Sequence, residues 1–299
     1  PPKNRNLRGA GRNGDRVGTT DHRCAIALAT FLSLTAWAGG ASAGPDPVRI
    51  VDAVGNLDAD HDQALAAVHV LRAGGKRAAE QIRDAWPTLS LLGQTRALGA
   101  LSGLAKDHDA AIDTLVDASR SGNEEIQERA LAILRRTKPR GRDGWVALLA
   151  DPAVGDRAAS LLARTEPDFA IQPLLRAIAE PGGADRPGLR SAIGTAVQRS
   201  GRSAKRRLRA WLVDGPPAAA VASVAMGLSP LDEHSEVVAS FVEYAVARST
   251  DFADKWRLLQ SAGAAGASDE VDRWVRSQLD GPEQWMLRQA AVDATTARG

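Results

Sequence analysis

One cysteine, two methionines and a single tyrosine occur in the 299 residues of this chain, and aromatic residues make up only 4% of it. With Cys24 alone, no intramolecular disulfide can form, so stability has to come from packing. With so few aromatics, a core must be assembled from Ala, Leu, Val and Ile. Small aliphatic side chains suit closely approaching helices better than pleated strands, where β-branched and aromatic residues are enriched. No stretch of alternating β-branched residues bounded by turns stands out either. The chain also lacks a Walker-type loop, an H-E-x-x-H pair and a second metal-ligand pair, which removes the best-marked routes to nucleotide and zinc chemistry. What remains is ordinary globular composition, 44% hydrophobic and 25% charged, long enough to bury a real core. The expected class is all-α.

The first 43 residues read differently from the rest. Residues 24–38 form an uncharged apolar run ending near Ala41-Ser42-Ala43, a small-x-small pattern, and Lys3, Arg5, Arg8, Arg12, Arg16 and Arg23 precede it. Positive flank, short apolar segment and small-residue exit predict a secretory signal peptide. As a helix the run would span about 22 Å, short of the roughly 30 Å hydrocarbon core, so a membrane anchor is the weaker alternative. The expected organisation is therefore a leader and signal peptide over 1–43 and one domain over 44–299, periplasmic or secreted, with no transmembrane span after cleavage. Six of the 38 Lys/Arg and two of the 36 Asp/Glu lie in the leader, leaving 32 basic against 34 acidic residues. A nucleic-acid binder would carry a strongly positive domain, so no nucleic-acid partner is expected. The lone cysteine leaves with the leader, and thiol chemistry with it.

Self-similarity dominates the remainder. ALAAVHVL (64–71) recurs as ALGALSGL (97–104) after 33 residues, and Ala130 opens ALAILRRT after another 33. Looser copies follow at 157–164, 190–197, 220–227, 257–266 and 288–295. A second apolar face follows each turn: Ala78, Ile82, Ala85 and Trp86 share one helical side, as do Ala111, Ile112, Leu115 and Ala118, and again Ala204, Leu208, Trp211 and Leu212. Gly and Pro separate the segments, at Gly74-Gly75, Gly201 and Gly215-Pro216-Pro217 among others. The Gly-rich stretch 261–268 predicts a shortened helix in the seventh unit.

The segments DPAVGDRAASLLA (151–163) and NEEIQERALAIL (123–134), with Asp151-Pro152 and Asn123 as caps, resemble the opening of a HEAT-like repeat. The resemblance covers about seven and a half units over residues 46–299. It implies a right-handed α-solenoid, related to armadillo-type arrays, whose first helices form the convex side and second helices the concave side. Such a surface implies extended contact with a partner rather than a deep pocket.

Other patterns carry less. Gly9 to Gly14 fit G-x-G-x-x-G but lie in the leader without the strand and helix a dinucleotide site needs. Asp58, Asp60 and Asp62 resemble a calcium loop, yet its sixth and twelfth places hold Gln63 and His69 rather than Gly and Glu; a helix cap is the plainer reading. His61, His69, His108 and His234 are expected at the surface. Ser229 lacks a nucleophile elbow. Trp86, Trp145, Trp211 and Trp274 are expected in the core, and Tyr244 in helix packing.

Two basic clusters are the best candidates for a binding surface. Arg135, Arg136, Lys138, Arg140 and Arg142 occupy one turn; Arg199, Arg202, Lys205, Arg206, Arg207 and Arg209 span another turn and its helix. On that helix Lys205, Arg206, Arg207 and Arg209 are expected to face solvent. The partner-binding candidates are Arg135, Arg136, Arg140, Arg142, Lys205, Arg206, Arg207 and Arg209; no catalytic, cofactor or metal residue is assigned. The expected function is that of an exported, non-enzymatic scaffold for a protein partner, with an acidic protein among the options. One rival is a polyanion- or membrane-surface-binding module built on 135–142 and 199–209. A second is lyase-type or base-excision activity, which some HEAT-like proteins have. The plain alternative for both clusters is a solvated face balanced by neighbouring acids.

Overall fold

The computed structural model describes residues 45–137, 140–249, 251–280 and 285–298. The leader, the apolar run with Cys24, the glycine pattern at 9–14 and Lys138 lie outside them. Among the described residues there are α-helices and short 3-10 turns but no strand. The helices in the first half are α1 (Pro47–Gly55), α2 (His61–Ala73), α3 (Gly75–Ala85), α4 (Leu91–Leu104), α5 (Asp109–Ser119), α6 (Glu124–Arg136), α7 (Gly141–Leu149) and α8 (Gly155–Thr165). Those in the second are α9 (Pro167–Ala179), α10 (Pro187–Ser200), α11 (Arg202–Val213), α12 (Ala218–Leu228), α13 (Ser235–Val246), α14 (Phe252–Ala262), α15 (Asp269–Asp280) and α16 (Trp285–Arg298).

The ends of these helices follow from local chemistry. Side chains of Asp60, Ser90 and Asn123 accept hydrogen bonds from the amides of Gln63, Gly93 and Ile126 at 2.9, 3.1 and 3.1 Å, satisfying orphan N–H groups. The acidic segment at 58–62 is thus a cap, with Asp58 turned instead to the Ser90 hydroxyl of the next unit. Asp151 caps a turn, through the amides of Ala153 and Val154, and α8 itself begins at Gly155. Gly75 and Gly201 open second helices at φ of 54° and 55°, a region that side-chain-bearing residues avoid. In the seventh unit α14 stops at Ala262, ahead of the small residues that follow.

Helices of the two kinds predicted from the repeat form two rows. Even-numbered helices are the first helices of successive units and pack on one another; odd-numbered helices are the second ones and do the same. A single run of buried Ala, Leu, Ile and Val joins both rows from Ile50 to Ala294. This serial stacking is compatible with a helical-repeat solenoid. Trp86, Trp145 and Trp211 are buried and Trp274 half-buried against the core, while Tyr244 packs on it and donates to the Pro216 carbonyl at 3.0 Å.

One expectation needs correction, and one helix goes unmarked by the repeat. α1 precedes the first repeat and adds a helix to the odd row; its cap Asp46, its Pro47 and the buried Ile50, Ala53 and Val54 are ordinary helix signals that the 33-residue period does not pick out. His234 is not at the surface but 1% exposed. Its acidic neighbours suggest a solvated turn, but that turn folds in under the start of α13.

Candidate functional site

Within this stack the step from α6–α7 to α8–α9 is the loosest. α6 barely meets α8 and α7 meets α9 at few points, whereas α8 lies along α10. Ion pairs span the gap. Arg157 of α8 reaches Glu128 of α6, and both Nε (2.9 Å) and Nη2 of Arg142 donate to Oε2 of Glu166; beside them Arg120, in the α5–α6 turn, reaches Asp151 in the α7–α8 turn at 3.0 Å.

An open groove of about 1350 Å³ lies over this step, walled by α7 and α9 and by one residue of α11. α9 buries Ala170, Ile171, Leu174, Leu175 and Ile178, which turns Phe169, Gln172, Pro173, Arg176 and Ala177 towards the groove. Val146 and Leu149 of α7 extend its apolar floor. Pro173 has no N–H, so the Phe169 carbonyl one turn earlier loses its helical donor and leaves a backbone acceptor beside the floor.

Charged groups edge the groove, and most are already engaged. The Arg142 guanidinium lies 5.0 Å from the centre of the Phe169 ring, within cation–π range. Arg186 donates to the Leu149 carbonyl at 2.6 Å and to Asp156 at 2.9 Å, tying the end of α7 to the start of α10. Arg207 donates to the main-chain carbonyl of Asp168. The Asp168 carboxylate accepts from the Ser203 hydroxyl at 2.6 Å; that bond, with the field of Arg207, holds its pKa below the usual carboxylate value against some desolvation. Arg176 is exposed on the groove, whose lining also includes the acidic Asp143 and Glu180. Arginines and carboxylates edging an apolar floor offer a ligand hydrogen bonds, charge pairing and buried area. Among the described residues that line the groove there is no histidine, cysteine or tyrosine.

The eight predicted candidates are dispersed. Arg142 and Arg207, one from each cluster, come together on this groove. Arg135 and Arg136 are exposed at the end of α6 in the other row. Arg140 pairs with Asp109 at 2.7 Å. On α11 the helix divides the second cluster: Arg206 and Arg209 are exposed, whereas Lys205 and Arg207 are half-buried on opposite flanks. The expectation of four solvent-facing basic side chains therefore holds only in part: Arg207 leans on α9 through the Asp168 carbonyl, and Lys205 is half-buried. Arg209 reaches Glu236 of α13 at 3.7 Å.

Phe169, Pro173 and Arg176 were not singled out by sequence reasoning. The available signal was a proline inside a helical run with an aromatic residue off the buried face. Among the described residues no group of three or more His, Cys, Asp and Glu could hold a metal ion, and no helix is long and apolar enough to cross a membrane. No protein-family model matches the chain, and no curated protein matches it.

Proposed function

We propose that the chain is an exported, non-enzymatic scaffold of HEAT-like repeats, forming a right-handed solenoid, that binds a protein partner through the face made by its second helices. The groove over α7 and α9 carries this reading: an open, apolar-floored depression on the second-helix side, edged by Arg142, Arg176 and Arg207. Serial stacking supports the solenoid, since each helical pair buries its apolar side only against its neighbours. The leader's charge and apolar pattern support export.

The polyanion alternative draws less support. Arg140, Arg142 and Arg209 already face carboxylates of Asp109, Glu166 and Glu236, so the two clusters do not add up to one unneutralised stripe. Affinity capture with the full chain from the exported fraction tests the scaffold reading. A reproducible protein partner should be lost with Val146→Asp/Arg176→Glu and kept with Arg135→Glu/Arg136→Glu. The opposite pattern, or binding that collapses between low and physiological salt, would favour the polyanion surface. Turnover of an added substrate would overturn the non-enzyme reading.

A further inference from the structure

Away from the groove, His234 has an environment that no surface histidine has. It sits in the 3-10 turn Asp232–His234 between α12 and α13 and is 1% exposed. Neither ring nitrogen has a hydrogen-bond partner. Oε1 of Glu233 lies 3.4 Å from Nε2, but off the line a hydrogen bond requires. A buried imidazole in this state is tolerable only while neutral, because its cation would lose hydration without gaining an aligned acceptor.

The charges around it come from few elements. α11 contributes Lys205, whose positive charge opposes protonation, and Arg209, which is spent on Glu236 of α13 at 3.7 Å. The turn itself contributes Asp232 and Glu233, both exposed at the outside. α12 has no titratable residue, and neither has the 263–268 segment, which donates from the Gly266 amide to the Ser235 carbonyl at 2.8 Å. Burial is the largest influence on the ring and lowers its pKa; Glu233 works against this and Lys205 with it.

We infer that His234 is a pH-sensitive latch at the start of α13: the neutral ring holds the 232–234 turn in place, and protonation drives it out. The turn packs on α13 and Glu236 lies two residues beyond the ring, so expelling the ring loosens the start of α13 and the Arg209–Glu236 pair together. The sign follows from the unfolded chain, where the ring protonates near its ordinary value of about 6.5. As pH falls below that value the unfolded or opened state takes up the proton first, and the latch weakens.

Amide hydrogen exchange on the full chain at pH 7.5 and 5.0, corrected for intrinsic rates, tests this together with an NMR titration of the His234 ring. The expected results are a ring titrating below its ordinary value of about 6.5 and a loss of protection over 229–242 at pH 5.0 relative to pH 7.5. His234→Phe should retain protection at both pH values; His234→Gln serves the same purpose if the larger ring does not pack. A ring titrating at or above 6.5, protection unchanged at pH 5.0, or an equal loss in both variants would overturn the latch.

Discussion

Between α6–α7 and α8–α9 the chain joins successive helical pairs by packing α7 on α8, with little contact within either row and ion pairs across both; between α10 and α12 it joins them through nearly bare backbone. At the second step a Cβ added to Gly194 would come 2.6 Å from the Gly227 carbonyl oxygen, and one added to Gly227 would come 2.7 Å from that of Arg190. α12 reads AAAVASVAMGL and is so slender that Arg257 of α14 reaches past it to Asp185, 72 residues away, while also pairing with Asp254 at 2.9 Å. Small side chains let the helices meet, and long ones prop them apart. The groove opens where the stack is propped, which suggests why the two materials alternate along one repeat array: a closed step fixes geometry, and an open step offers surface.

The contrast can be broken most severely at Arg257. Arg257→Ala should cost about 3–5 kcal/mol, because it leaves the buried Asp254 carboxylate without its partner; a urea midpoint near that of the parent would show that the pair holds nothing together. Gly194→Ala should follow, at about 1–3 kcal/mol, since overpacking would force α10 from α12. Gly99→Ala is the control, as its Cβ meets only a Val68 methyl at 3.9 Å, and it should gain up to about 1 kcal/mol.

At the open step the sign reverses or the effect shrinks. Pro173→Ala restores the amide that the Phe169 carbonyl lacks and should raise the thermal midpoint, by an equivalent of about 1 kcal/mol. No gain would mean that the carbonyl is already satisfied. Beside this step, where Arg120 of the α5–α6 turn pairs with Asp151 of the α7–α8 turn, Arg120→Ala should cost less than about 1 kcal/mol, because the pair is solvent-screened at 40% exposure of the arginine. Acid should act on this step too. Burial opposes ionisation of Asp151, but the amides of Ala153 and Val154 and the Arg120 guanidinium outweigh it and lower its pKa. Its contribution is therefore present above the ordinary carboxylate value and lost as pH falls through the lower folded one. Hydrogen exchange at 151–156 should rise in that range before exchange at 190–197 does.

Much of the fold was legible before any coordinates. The Ala/Leu pattern at 64–71, 97–104 and 130–134 marked α2, α4 and α6, and the i, i+4, i+7 spacing in 78–86 and 204–212 marked buried faces of α3 and α11. Caps at Asp60 and Asn123 were readable because capping is a contact within three residues. The site was less legible. Arg142 and Arg207 are 65 positions apart in the numbering, and only the stacking of α7, α9 and α11 puts them on one groove. Phe169 looked like one more apolar residue, and its exposure depends on how far α7 stands off. His234 was misplaced for a similar reason: Asp232 and Glu233 signal solvent for themselves, and the next side chain points the other way.

Local physics, then, was written in the residues: which segments become helices, where they stop, and which side of each must be hidden. These are determined by spacing, capping and the size of apolar side chains, all short-range properties. The distance between neighbouring pairs was not, because it depends on which side chains from different units meet. Glycine against glycine closed α10 on α12, arginine met glutamate between α7 and α9, and with that difference came the groove and the reach of Arg257.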